Sequence, residues 1–145
     1  MLIYTDSREQ LPLEFPKSIK TEVKKLDYGD YACEGCNFVF ERKSIGDAYG
    51  TMGKGHTRFK KELERCINDN NKLYLIIEGT FTKVAKGYRY SKLPPKVLFK
   101  IMGTMLHKYK DNFEVIFCKN RKEMSLEIIW RFESFVRNLS KGGKP

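Results

Sequence analysis

Asp30, Glu41 and Lys43 are the residues whose types and spacing could carry chemistry. Gly29-Asp30-Tyr31 opens one arm of a predicted hairpin, and Phe38-Val39-Phe40-Glu41-Arg42-Lys43 forms the other, with Glu34-Gly35 at the turn. Side chains alternate along a strand, so Glu41 and Lys43 share one face while Phe38, Phe40 and Arg42 share the other. Pairing of the two arms brings Asp30 near the end that carries Glu41, so two carboxylates and an amine converge at one sheet edge. Hard carboxylate oxygens hold magnesium, which keeps several waters and bridges to phosphate oxygens. An adjacent ammonium orients or helps to deprotonate an attacking water and offsets charge in the transition state. This is equipment for metal-assisted phosphodiester hydrolysis. Taken alone, an Asp followed by Glu-x-Lys is a loose pattern that many unrelated proteins match.

The elements needed to position these groups can be read from periodicity. Residues 2–5 form a strand and residues 20–26 a second, with 30–33 and 37–43 as the hairpin. Ser44 offers an N-cap with Asp47 three residues on, a capping-box spacing that starts a short helix. A helix over 57–68 places Phe59, Leu63, Cys66 and Ile67 on one face. Leu73 to Ile77 is a continuous apolar run, the mark of a buried central strand. A helix over 94–109 carries a stripe from Val97 to Tyr109, Glu114–Cys118 is another strand, and Asn120 with Glu123 caps a last helix with Ile128, Phe132, Phe135 and Leu139 on its apolar face. A strand-rich half followed by alternating helix and strand predicts an α/β sandwich with a mixed central sheet, antiparallel first and parallel later. One domain over 1–140 is expected, and the composition of 141–145 marks a disordered tail.

The chain has 145 residues and a hydrophobic fraction of 41%, which excludes a low-complexity or disordered class. No apolar run reaches the length of a membrane span, so no membrane partner is expected and the cytoplasm, or association with a nucleoid, is the default. The net charge of +10 suggests a polyanionic partner. Gly50-Thr51-Met52-Gly53-Lys54-Gly55-His56-Thr57 invites a phosphate-loop reading, which fails because Ala48 stands where Gly is needed and Gly55 where Ser or Thr is needed. No nucleotide cofactor is therefore expected. The segment fits better as a loop on which Lys54, His56 and Arg58 approach DNA phosphates. Between 83 and 100, Lys86, Arg89 and Lys92 alternate with Tyr88 and Tyr90, which suits either contact with a DNA strand or a solvated loop. Cys33-Glu34-Gly35-Cys36 has zinc-knuckle or redox spacing but lacks a second pair, so it reads as a hairpin tip, with Cys66 and Cys118 as core thiols.

Read as one string, Gly29-Asp30, a variable hairpin, then Glu41-Arg42-Lys43-Ser44-Ile45-Gly46-Asp47 resembles the signature of the XPF-type structure-specific endonucleases, which include the archaeal helicase-associated nuclease Hef and the Mus-type junction nucleases. Thr5-Asp6-Ser7-Arg8-Glu9 is similar to that family's first-strand motif, Gly55-His56-Thr57-Arg58-Phe59 to its Gly-Arg-apolar stretch, and Leu75-Ile76-Ile77-Glu78 to its central strand. The resemblance spans about residues 3–79. It implies a restriction-endonuclease-like fold and cleavage of DNA near branches, dependent on Mg2+ or Mn2+, in repair, recombination or replication. Carried over by position, Asp30 and Glu41 look like metal ligands with Asp6 assisting, Lys43 like the water-orienting residue, and Arg8, Arg42 and Asp47 like members of the same site. Arg42, on the face opposite Glu41, reads as a brace paired with Asp47 or another acid. The resemblance also implies a homodimer, for which the helices at 94–109 and 121–139 offer faces that core packing could equally claim. Two departures stand out: the Gly53–Thr57 loop is looser than the family's linker, and nothing after residue 120 resembles its tandem helix-hairpin-helix module. The alternatives are a non-catalytic DNA-binding partner subunit, and a junction-resolving or restriction-type nuclease on the same fold.

Overall fold

The computed structural model describes residues 1–141; residues 142–145, most of the predicted tail, lie outside the described residues. In chain order the elements are β1 (Leu2–Asp6), β2 (Lys20–Lys24), β3 (Tyr31–Cys33), β4 (Phe38–Ser44), α1 (Ile45–Met52), α2 (His56–Asn68), β5 (Lys72–Glu78), α3 (Phe81–Ala85), α4 (Pro95–Lys108), β6 (Phe113–Cys118) and α5 (Arg121–Ser140). Among the described residues the strands form one six-stranded sheet in the order β2-β1-β3-β4-β5-β6. The pairs β1·β3 and β3·β4 are antiparallel, while β4·β5 and β5·β6 are parallel. Strand β2 departs from the expected order: it runs parallel to β1 at the sheet edge, reached through the irregular segment 7–19, and all five of its residues are exposed. Its lysines keep that edge solvated.

Alternation along β4 divides the core. Val39 packs with Leu73, Leu75 and Ile77 beneath α1, α2 and α4, whereas Phe38 and Phe40 pack with Ile76 and Ile116 beneath Ile128 and Phe132 of α5. Helices thus cover both faces, which is why β5 is apolar on both sides. α4 buries Leu98, Met102 and Met105, and α5 buries Met124, Ile128 and Phe132, so both predicted apolar stripes serve the core. Val97, Leu126, Trp130 and Leu139 remain exposed. Cys66 and Cys118 are buried thiols as expected, and burial pushes each up to about 12. Across the hairpin turn, where Gly35 has φ +82°, a hydrogen bond from the Cys36 thiol holds Cys33 below its ordinary value.

The predicted 50–58 loop is mostly helix. α1 runs to Met52 and α2 starts at His56, leaving only Gly53 to Gly55 between them. The glycine amides close the helix end, Gly53 N–H to Tyr49 O at 3.0 Å and Gly55 N–H to Gly50 O at 2.9 Å, so they are not arrayed around an anion. A further helix, α3, was hidden in the basic stretch, where the Thr80 side chain caps Lys83 N–H.

Candidate active site

Three strand ends build the site. Tyr31 pairs with Phe40 across the β3·β4 hairpin, so Asp30 falls opposite Glu41. Asp30 N–H donates to Phe40 O at 2.7 Å, and its carboxylate Oδ2 accepts from Arg42 N–H at 2.8 Å. Gly29 precedes it with φ +76°, and a Cβ there would lie 2.9 Å from Val39 Cγ2. Only glycine fits that turn, and the turn aims Asp30 at β4. Glu41 is buried and ion-paired with Lys43, whose Nζ lies 3.2 Å from Oε2.

Electrostatics separates the roles. Burial pushes the Glu41 carboxyl up to about 8, reinforced by the charges of Asp30 and Glu62 against the opposing Lys43. Burial likewise raises Asp30 to about 6, although the Arg42 amide and Lys43 oppose the shift. Lys43 therefore offsets only part of what burial and mutual repulsion cost the two carboxylates. For Lys43, burial disfavours the charged form, but Glu41, Asp30 and Asp47 outweigh it and hold the pKa above its ordinary value. Lys43 is an ammonium, which suits orienting a water rather than deprotonating it. Among the described residues no three His, Cys, Asp or Glu side chains converge on one point. Two buried hard-oxygen carboxylates are what Mg2+ or Mn2+ requires when phosphate and waters complete the sphere, so the residues present fit such an ion.

The remaining predicted residues fall into two groups. Asp6 reaches the same sheet end, its N–H donating to Asp30 O at 2.8 Å. Its Oδ1 accepts from Leu26 N–H and Arg8 Nη2, and its Oδ2 from Arg8 Nε. Burial works against its charge, yet these bonds hold it below the ordinary carboxylate value. The oxygens of Asp6, expected to assist in holding a metal, clasp Arg8 and the Leu26 backbone. Arg42 projects to the far face, where Nε meets Glu9 Oε2 at 2.8 Å and Nη2 meets Oε1 at 3.1 Å. Its partner is Glu9, not Asp47. Tyr31 Oη also donates to Glu9, so the pair ties β4 to the 7–19 segment. Asp47 is exposed; its N–H donates to the capping Ser44 Oγ at 3.1 Å, and its charge acts on Lys43.

Glu62 of α2 escaped the sequence reading. Its Oε2 accepts from Gly29 N–H at 3.0 Å, beside the aspartate, and its charge bears on both carboxylates. Arg58 lies one turn earlier on the same side of α2 and is exposed. His56 faces elsewhere: it lines a hollow with Lys60, Lys100 and Thr104, and its Nδ1 is buried without a partner. It does not reach the carboxylates. Lys54 and Lys92 line a separate cleft beside α1, and Lys86 and Arg89 flank it.

A mixed sheet with helices on both faces, bearing Asp and Glu-x-Lys at adjacent strand ends, defines the restriction-endonuclease-like class of fold. The model of the ERCC4 domain matches residues 5–129, and the chain belongs to that family as an XPF-type nuclease domain. The fold is similar to XPF from Aeropyrum pernix, with TM-score 0.69 and 21% identity over 88% of this chain and 58% of that one. It is also similar to XPF from Aeropyrum pernix in complex with DNA, with TM-score 0.71 and 22% identity over 97% of this chain and 66% of that one. The chain thus spans roughly three fifths to two thirds of the length of these homologues. None of the curated proteins matches. Among the described residues no helix is long and apolar enough to cross a membrane.

Proposed function

We propose that this chain is a divalent-metal-dependent DNA endonuclease that hydrolyses phosphodiesters in branched or partly single-stranded DNA, such as flaps, forks and junctions. The observation that carries the reading is the placement of Asp30 opposite Glu41 with the Lys43 ammonium 3.2 Å from Glu41. The DNA-bound Aeropyrum pernix homologue, similar over nearly the whole chain, supports DNA as the substrate. Asp30 and Glu41 would hold Mg2+ or Mn2+, which when bound would polarise the phosphate and acidify a water.

The chain's own residues do the rest. Lys43 orients the attacking water and offsets developing negative charge on the phosphate. Glu62 fixes the Gly29 turn through the backbone, and Asp6 with Arg8 fixes the strand end on which Asp30 sits. Arg42 and Glu9 brace β4 from behind. Lys54, His56, Arg58, Lys86, Arg89 and Lys92 supply phosphate contacts, His56 from a hollow it shares with Lys60 and Lys100. A homodimer is proposed through the α5 face that leaves Leu126 and Trp130 54% and 58% exposed. A monomeric mass by light scattering at high concentration would remove that part.

The test is incubation of labelled flap, fork, four-way junction, single-stranded and linear duplex DNA with Mg2+, Mn2+ or EDTA. Cleavage is expected with metal only, and fastest on branched forms. Metal-independent cleavage, or none on any substrate, overturns the proposal.

A further inference from the structure

A second feature lies one helix away from the carboxylates. The segment 86–94 folds back over α1 and encloses a cleft of about 800 Å3 lined by Gly46, Gly50, Lys54, Tyr88, Tyr90 and Lys92 among others. That volume falls within the range of about 300–1,000 Å3 typical of ligand clefts. Tyr88 is anchored: its ring stacks on Tyr49 with centroids 6.3 Å apart, and its backbone carbonyl accepts from Ser91 N–H at 2.9 Å. Gly46 makes room for it, since a Cβ there would sit 2.8 Å from Tyr88 Cζ. Tyr90 meets Tyr88 edge-on at 5.5 Å, carries the Arg89 guanidinium at 4.9 Å, and is 74% exposed. No acidic side chain lines the cleft, and Lys54, Arg89 and Lys92 enter no ion pair among the described residues.

We propose that the Tyr88–Tyr90 cleft is a stacking site for an unpaired DNA strand leading from the metal site. The proposal rests on the reading of the chain as a DNA nuclease and names which part of a branched substrate it holds. Stacking rings and unpaired cations together match bases and phosphates, and only an unpaired base presents a free face to Tyr90. The location agrees. Lys43 and Gly46 are three residues apart, so the chain places them within about 11 Å, on the order of three nucleotides of a stacked strand. Strand selectivity then arises in the domain itself, by a contact that reads single-strandedness and not sequence.

The test is fluorescence anisotropy in EDTA with a labelled dT12 strand, the same strand carrying three central abasic sites, and a twelve-base-pair duplex. Tyr90→Ala is chosen because the side chain is exposed and its loss leaves the core intact. It should weaken dT12 binding by 5- to 100-fold while leaving the abasic strand and the duplex within twofold of the parent protein. Tyr90→Phe, which keeps the ring, should bind dT12 within twofold of the parent. Unchanged dT12 affinity in Tyr90→Ala, or equal losses on abasic and duplex DNA, overturns the stacking site. Tighter binding of rU12 than of dT12 overturns the assignment to DNA. Failure of the nuclease reading is distinguishable, because it shows as absent cleavage with Mg2+ while the binding differences persist.

Discussion

Replacing Glu41 by Gln should flatten the pH dependence of stability in the metal-free protein. Glu41 is 8% exposed, and its carboxyl is pushed from 4.5 up to about 8 by burial and by the charges of Asp30 and Glu62. A carboxyl raised in the folded state binds more protons there than in the unfolded chain, so stability is full below the unfolded value and falls as pH rises through the folded one. The window is about pH 4.5 to 8. The full shift corresponds to roughly 5 kcal/mol, and shared titration with Asp30 lowers the share of Glu41 to roughly 2–4 kcal/mol. Glu41→Gln cannot titrate, so it should match the parent near pH 4.5 and exceed it by that margin near pH 8.5. Urea unfolding in EDTA at half-unit steps of pH measures the difference. At pH 8, Mg2+ should restore stability to the parent and not to the variant, because the ion offsets the charge that burial penalises. Equal curves for the two proteins, or a parent that gains stability relative to the variant above pH 6, would refute the reasoning.

Gly29→Ala should destabilise by about 2–3 kcal/mol in urea unfolding, since φ is +76° and the new Cβ meets Val39 Cγ2 at 2.9 Å. Arg42→Ala should cost about 2–4 kcal/mol because Glu9, whose side chain is 10% exposed, loses a two-point partner. Adding Glu9→Gln should recover part of that loss in a double-mutant cycle. Binding to duplex DNA should fall steeply and linearly on a log–log salt plot, and cleavage products mapped by sequencing should show no fixed recognition sequence; flat salt dependence or a consensus site contradicts phosphate-led recognition.

The hairpin and the placement of its charged residues were legible because both depend on short-range rules. Period-two alternation and the Gly35 turn place Asp30 against Glu41, and the Ser44 cap found its Asp47 amide. What was not legible depends on docking between distant elements. Arg42 could be assigned to the far face from alternation, but its partner, Glu9, lies 33 residues away in an irregular segment. Glu62 sits on a helix whose buried face, Phe59, Leu63 and Cys66, was evident, yet which exposed side meets Gly29 is set by how α2 packs on the sheet. The same packing turns His56 away from the site. Glycine spacing in 50–58 looked like a loop, whereas Gly53 and Gly55 close one helix and open the next. Strand β2 pairs parallel with β1 without a covering helix, an arrangement that its exposed alternating sequence does not announce.

The most direct measurement is single-turnover cleavage of a labelled flap in Mg2+ by the parent, Asp30→Asn and Lys43→Ala, with binding of the same flap measured in parallel. Asp30 and Lys43 meet at one sheet end from different strands, so both variants should lose cleavage. Asp30→Asn should bind the flap as tightly as the parent or more tightly, because it removes a negative charge facing phosphate. Cleavage by Lys43→Ala at the parent rate, or loss of cleavage in Asp30→Asn explained entirely by loss of binding, would contradict the assignment of this site.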